Sequence, residues 1–159
     1  MPANFDMCPI NKQILIAVDE SDNSRRAVSY IAYMLGGVPE FNITLLNIIP
    51  VPPDDYFKTE DERRSWIEDH ESTAKKVLEE YRQMLIMSKF HQENLDVRIK
   101  TGDYPSIADA VLKVFVEISA GTIVIGRRGI SKKEEFIFGS TSSRILHSIK
   151  NCAALWVVE

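Results

Sequence analysis

Five short apolar runs alternate with stretches whose apolar positions recur every three or four residues, and this alternation limits the chain to few folds. The runs are Gln13 to Val18, Asn42 to Ile49, Asn94 to Lys100, Thr122 to Ile125 and Ala153 to Val158. Continuous Val/Ile/Leu runs of this length are expected of strands covered on both faces, as in a parallel sheet. Asn94 to Lys100 differs: Leu95, Val97 and Ile99 alternate with polar residues, which suits a strand near an edge.

Four helical stretches lie between the runs. Ser21 is placed to cap a helix with apolar positions Ala27, Val28, Ile31, Ala32 and Leu35, stopped by Gly36-Gly37. Thr59 and Glu62 form a capping-box pattern before a long helix through Ile67, Ala74, Val77, Leu78, Tyr81 and Leu85. Pro105 opens a third helix, with Ile107, Ala108, Val111, Leu112, Phe115 and Ile118 inward. The fourth follows Gly139-Ser140 and carries Ile145, Leu146 and Ile149. Strands and helices in strict alternation imply right-handed crossovers and an α/β, doubly wound parallel sheet with helices on both faces.

At 159 residues, 45% of them hydrophobic and 26% charged, the chain fits one domain with a sizeable core. We expect a single domain over 1–159, with residues 1–11 an N-terminal extension. The net charge of -4 speaks against a general nucleic-acid or anionic-membrane surface. No run approaches the ~18 apolar residues of a membrane span, and the first residues lack the apolar run of a signal peptide. With only Cys8 and Cys152, near opposite ends, a disulfide framework is not expected. The expected location is therefore the cytoplasm, with neither nucleic acid nor membrane as partner.

In a doubly wound sheet, ligands bind beyond the carboxyl ends of the strands where the strand order reverses. Two features fall at such ends. Asp19 follows the first run, and Gly126-Arg-Arg-Gly129 follows the fourth, leading through Ser131, Lys132 and Lys133 to Gly139-Ser140-Thr141 at a helix start. Glycines let backbone N–H groups approach an anion closely, and a helix N-terminus offers unpaired N–H groups with a partial positive charge. Hydroxyls at Ser140, Thr141 and Ser142 and the cations at Arg127, Arg128, Lys132 and Lys133 suit the same phosphate. An acid at Asp19 suits ribose hydroxyls or a bound Mg²⁺. Taken singly, each glycine more often serves a turn, Asp19 a cap and the basic cluster a solvated face. Their coincidence at the mouth of one sheet points to a nucleotide.

The spacing Gly126-x2-Gly129-x9-Gly139-Ser140 resembles the ATP-binding signature of the universal stress protein family. Ile14-Leu-Ile-Ala-Val-Asp19, with Ser21 and Ser24, resembles that family's first strand and helix. Leu45-Leu-Asn-Ile-Ile-Pro50 resembles its second strand, and Gly139-Ser-Thr-Ser-Ser-Arg-Ile-Leu146 its last helix. The resemblance implies a five-stranded sheet of order 3-2-1-4-5 that binds ATP, with Mg²⁺ as the expected metal. It puts adenine near Ala17 and Ile48 and the ribose and metal side at Asp19. Phosphates would lie along Gly126, Arg127, Gly129, Ser131, Lys132, Gly139, Ser140 and Thr141. It also implies a homodimer through the final strand, Ala153 to Val158, and an apolar strand at a sheet edge invites such pairing in its own right. The chain departs from the family where Cys152 is followed by Ala153-Ala154, where Gly121 replaces an acidic residue, and in the bulk of Trp156.

Other signals carry less. Gly121 to Arg127 lacks the Lys-Ser/Thr pair of a phosphate-binding P-loop, and His70, His91 and His147 lack metal-ligand spacing. No serine sits in a Gly-x-Ser-x-Gly elbow. Met34, Met84 and Met87 fit helical core packing. The segment Pro50 to Lys58 is the irregular connection expected to lie over a ligand. Three functions remain open: a nucleotide-binding stress-response regulator with slow hydrolysis at most, an ATP-dependent transferase or ATPase, and an interaction module that binds no nucleotide.

Overall fold

The computed structural model describes residues 11–127, 140–149 and 153–159. The described elements are β1 (Gln13–Ala17), α1 (Asp22–Leu35), β2 (Asn42–Pro50), α2 (Glu60–Met87), β3 (Leu95–Gly102), α3 (Ile107–Glu117), β4 (Thr122–Gly126), α4 (Ser140–Ser148) and β5 (Ala154–Val158). Short 3-10 turns at Asp54–Tyr56 and Gln92–Asn94 precede α2 and β3. All strands pair in parallel, in the order β3-β2-β1-β4-β5.

The apolar runs are continuous because the sheet is covered on both sides. Ile14, Leu15 and Ile16 are each at most 2% exposed. Ile14 and Ile16 join Ala27, Val28 and Ile31 of α1 and Leu78, Tyr81 and Leu85 of α2. Leu15 points the other way, to Leu46, Ile123, Val111 and Val114 of α3, and Ile145 of α4. Period-2 alternation along each strand thus feeds two cores, with α1 and α2 on one face and α3 and α4 on the other. Right-handed crossovers produce this split once the chain changes direction across β1.

The predicted helix boundaries follow the caps. Ser21 caps α1 by accepting from Ser24 N, and the helix stops at Gly36, before Gly37 at φ +79°. Thr59 caps α2 by accepting from Glu62 N at 3.1 Å, but Glu62 takes its bond from Lys58 N and not from Thr59, so the box is not reciprocal. Ser106, not Pro105, caps α3, accepting from Asp109 N. Gly121 sits where an added Cβ would lie 2.6 Å from the Asn11 carbonyl oxygen, which explains why a side chain is missing there.

Several core assignments change. Met34 and Met87 are 48% and 84% exposed, and of the three methionines only Met84 packs against the core. Leu146 is 51% exposed because Ile145 takes the inward position of the short α4. Val97 lies exposed on β3, an edge strand as its alternation implied, whose Arg98 and Lys100 pair with Glu117. No helix among the described residues is long and apolar enough to cross a membrane.

Helix α2 is anchored through its second half, since Ala74, Leu78, Tyr81 and Leu85 are its buried residues and its first half is exposed and charged. Leu78→Ala should therefore cost about 2–5 kcal/mol, the range for a fully buried leucine. Urea unfolding should show a lower midpoint with an unchanged slope; a midpoint like that of the wild type would mean α2 is held by other contacts.

Candidate functional site

Strand β1 pairs with β2 on one side and β4 on the other, so the chain leaves the two central strands toward opposite faces. A cleft opens between these departures at the carboxyl ends. Its floor is apolar, from Ala17, Leu46, Ile48, Ile107 and Ile125. Its rim is polar, from Asp19, Ser21 and Ser24 after β1, Gly126 and Arg127 after β4, and Ser140, Thr141 and Ser142 at the start of α4.

The turn after β1 is held from three elements. From β2, Leu46 O accepts from Val18 N at 2.8 Å and buried Asn47 donates Nδ2–H to Val18 O at 2.9 Å. From α2, the Tyr81 hydroxyl donates to Asp19 O at 2.9 Å. From α1, buried Ser24 donates its hydroxyl to Asp19 Oδ1 at 2.7 Å and accepts from Asp19 N at 2.9 Å. Ser21 N also donates to Asp19 Oδ1, at 3.0 Å. The Asp19 carboxylate is thereby oriented as the acidic group of the cleft. Asn47 and Tyr81 were not among the expected site residues, because neither touches the cleft; they fix the backbone that does.

Gly126 has a structural reason of its own. A Cβ there would lie 2.3 Å from Asn23 O and 2.9 Å from Ser24 N, so only glycine lets the N-terminus of α1 close on the end of β4. On the other face, Arg144 of α4 pairs with Asp109 of α3 at 3.0 Å. The Ser106 hydroxyl, aided by Arg144, holds the Asp109 carboxyl below its ordinary value. The first residues of α4, Ser140 to Ser142, line the cleft, where the helix presents the positive end of its dipole. Two helix N-termini and Arg127 therefore border one apolar floor, an arrangement suited to an anion joined to a flat apolar group.

Of the residues singled out from sequence, Ala17, Asp19, Ile48, Gly126, Arg127, Ser140 and Thr141 line this one cleft. Gly129, Ser131, Lys132 and Gly139 lie outside the described residues. Leu46, Ile107 and Ile125 were read only as core positions, yet they complete the floor. Residues Pro50 to Lys58 do not line the cleft. They run instead to the start of α2, where Phe57 meets Trp66 edge-on at 6.0 Å, and Trp66 stacks on His70 at 3.7 Å. Pro50, Trp66, Asp69, His70 and Thr73 border a second cleft of about 410 Å³, which shares Asp19 and Ile48 with the first. Among the described residues no group of three His, Cys, Asp or Glu side chains is placed to hold a metal ion. Asp19 alone fits the usual Mg²⁺ pattern of one carboxylate plus ligand phosphates.

The sequence matches the Universal stress protein family over residues 11–153. Universal stress protein UspA from Lactobacillus plantarum superposes with a TM-score of 0.73 at 18% identity, covering 92% of this chain and 97% of its own. A universal stress protein in complex with cAMP gives a TM-score of 0.68 at 16% identity, covering 94% and 97%. The universal stress protein from Archaeoglobus fulgidus in complex with dAMP gives 0.58 at 15% identity, covering 96% and 100%. No curated protein matches the chain.

Burial pushes the Tyr81 phenol up to about 12, opposed by Arg25 and reinforced by Asp19, Glu80 and Glu20. Because the folded value lies above the ordinary 10, the clamp on Asp19 is complete below about pH 10 and is lost as pH rises toward 12. Absorbance at 295 nm should show one tyrosine ionising late, and Tyr81→Phe should delete that step. A titration without a late step would mean the phenol is not buried against the turn.

Proposed function

The chain belongs to the universal stress protein family, and from that premise we propose that it is a stress-response regulatory protein that binds ATP, with Mg²⁺, in the cleft between β1 and β4. The observation that carries this reading is the convergence of Asp19, Arg127 and the first residues of α4 around one apolar floor. Adenine lies over Ala17 and Ile48, and the ribose and the metal lie beside Asp19. The phosphates follow Gly126, Arg127, Ser140 and Thr141, with Gly129, Ser131, Lys132 and Gly139 completing the motif. The cAMP and dAMP complexes of the two structural relatives support an adenine nucleotide as the ligand class. The protein would act in the cytoplasm, where ATP and Mg²⁺ are at hand.

Hydrolysis is slow or absent in this reading. A general base must reach the attacking water, and Asp19 is the only acidic side chain among the described residues of the cleft, which no histidine lines. Its Oδ1 already accepts from Ser21 N and Ser24 Oγ. The second cleft favours one alternative, transfer from ATP to an acceptor bound beside Trp66 and His70. Turnover above ~1 s⁻¹ with an added acceptor would select that alternative.

Denaturing the purified protein and identifying released nucleotide, then titrating the stripped protein with ATP and Mg²⁺, tests the reading. We expect about one adenine nucleotide per chain and saturable rebinding, both lost in Gly139→Val while the fold is kept. Absence of nucleotide and of binding would leave the interaction-module reading instead.

We also propose a homodimer through β5. Ala154 N–H and Val158 C=O both bond toward β4, so by alternation Leu155 and Val157 present their backbone groups at the open edge. Trp156 is seated edge-on against Tyr30 at 6.1 Å, which stiffens that edge. Val157→Pro removes an outward N–H without touching the β4 ladder and should convert dimer to monomer in light scattering. An unchanged mass would place any dimer elsewhere.

A further inference from the structure

Arg127 stands where the nucleotide cleft meets the end of β5. Its backbone N–H donates to Val158 O at 2.7 Å, which ties it to the edge strand. Its Nη1 donates to Glu159 Oε1 at 2.9 Å, while Nε is buried and has no hydrogen-bond partner. Arg127 is also the only basic side chain among the described residues lining the cleft. A guanidinium offers five donors, and a buried donor left unmatched is costly until an acceptor arrives. The present partner is weak: the Glu159 side chain is 83% exposed, and exposed ion pairs contribute little. A phosphate is a better match, since it accepts two parallel bonds from the guanidinium fork.

We propose that Arg127 sets phosphate-number specificity by exchanging Glu159 for the phosphates of the bound nucleotide, so that the Glu159 carboxylate competes with the ligand. The proposal rests on the nucleotide reading and deepens it. The competition disfavours ligands of low charge: adenosine and AMP offer too little to displace the carboxylate, whereas ATP offers enough. The exchange also releases Glu159 at the end of β5, so occupancy of the cleft is felt at the edge strand through one side chain.

Calorimetric titration of the stripped full-length protein with ATP and with AMP tests this. Glu159→Gln, at an exposed position, should tighten ATP about two- to fivefold and AMP less. Arg127→Met should weaken ATP about tenfold or more and narrow the gap between ATP and AMP. In the Arg127→Met background, Glu159→Gln should have no further effect. Wild-type binding with the same ATP-to-AMP ratio in both single variants would overturn the proposal and leave nucleotide binding standing. A Glu159→Gln gain that persists without Arg127 would overturn it as well. If the wild type takes up neither nucleotide, the proposal falls together with the reading beneath it.

Discussion

Hydrogen bonds from β2, α2 and α1 meet on the two residues Val18 and Asp19, and the geometry of the cleft follows from them. A turn of this length at the end of a strand would ordinarily sample several conformations. Here both carbonyls and the Asp19 carboxylate are committed to named partners, so the acidic group is oriented before any ligand arrives. Groups oriented in advance bind with less entropy loss, which is why a small site can be selective. The clamp also joins distant parts of the chain: Tyr81 lies deep in α2 and Asn47 in the second strand. Damage to the α2 core would therefore reach the cleft without touching it.

The cleft itself divides by polarity. Ile48, Leu46 and Ile107 form an apolar surface, and a flat group laid on it would gain about 25 cal/mol per Å² of apolar area removed from water. Among the described residues, the opposite rim offers N–H groups, hydroxyls and one guanidinium, which suit charge. Such a division of polarity suits an amphiphilic anion. The cleft lacks, among the described residues, a second acid or a histidine free to take a proton as a bond forms.

Much of this was legible from the residues. Continuous runs such as Gln13 to Val18 announced strands buried on both faces, and the caps at Ser21 and Thr59 fell where the helices begin. Asp19 and Arg127 could be placed at one mouth because a parallel sheet puts all its carboxyl ends together, whereas Ala17 and Ile48 were placed there by the family resemblance alone. What escaped the pattern depended on three-dimensional closeness. The role of Gly126 against Asn23 has no local signature, because its neighbour lies about a hundred residues earlier in the chain. Asn47 and Tyr81 look like ordinary strand and helix positions until the turn they hold is in view. Met34 and Met87 were drawn inward by helical spacing, yet the far sides of those helices meet no second layer.

The junction of β4 and β5 gathers the remaining threads. Gly126 pairs with Val158 in the ladder, and the next residue, Arg127, is bonded to β5 by backbone and to Glu159 by side chain. On its other side Gly126 presses against the first turn of α1, whose Ser24 bonds the Asp19 carboxylate. These four contacts thus link the acidic group of the cleft, its cation and the open edge of the sheet within a few residues. A packed junction of this kind does not deform gradually, because close-packed interiors resist small displacements and yield by exchanging one set of contacts for another. Among the described residues, the one exchangeable contact in it is the exposed ion pair of Arg127 with Glu159; the rest are buried backbone bonds and glycine contacts. A ligand that drew on Arg127 would therefore act at the weakest link of the junction, the place where a modest binding energy can alter the end of the edge strand without unfolding the sheet.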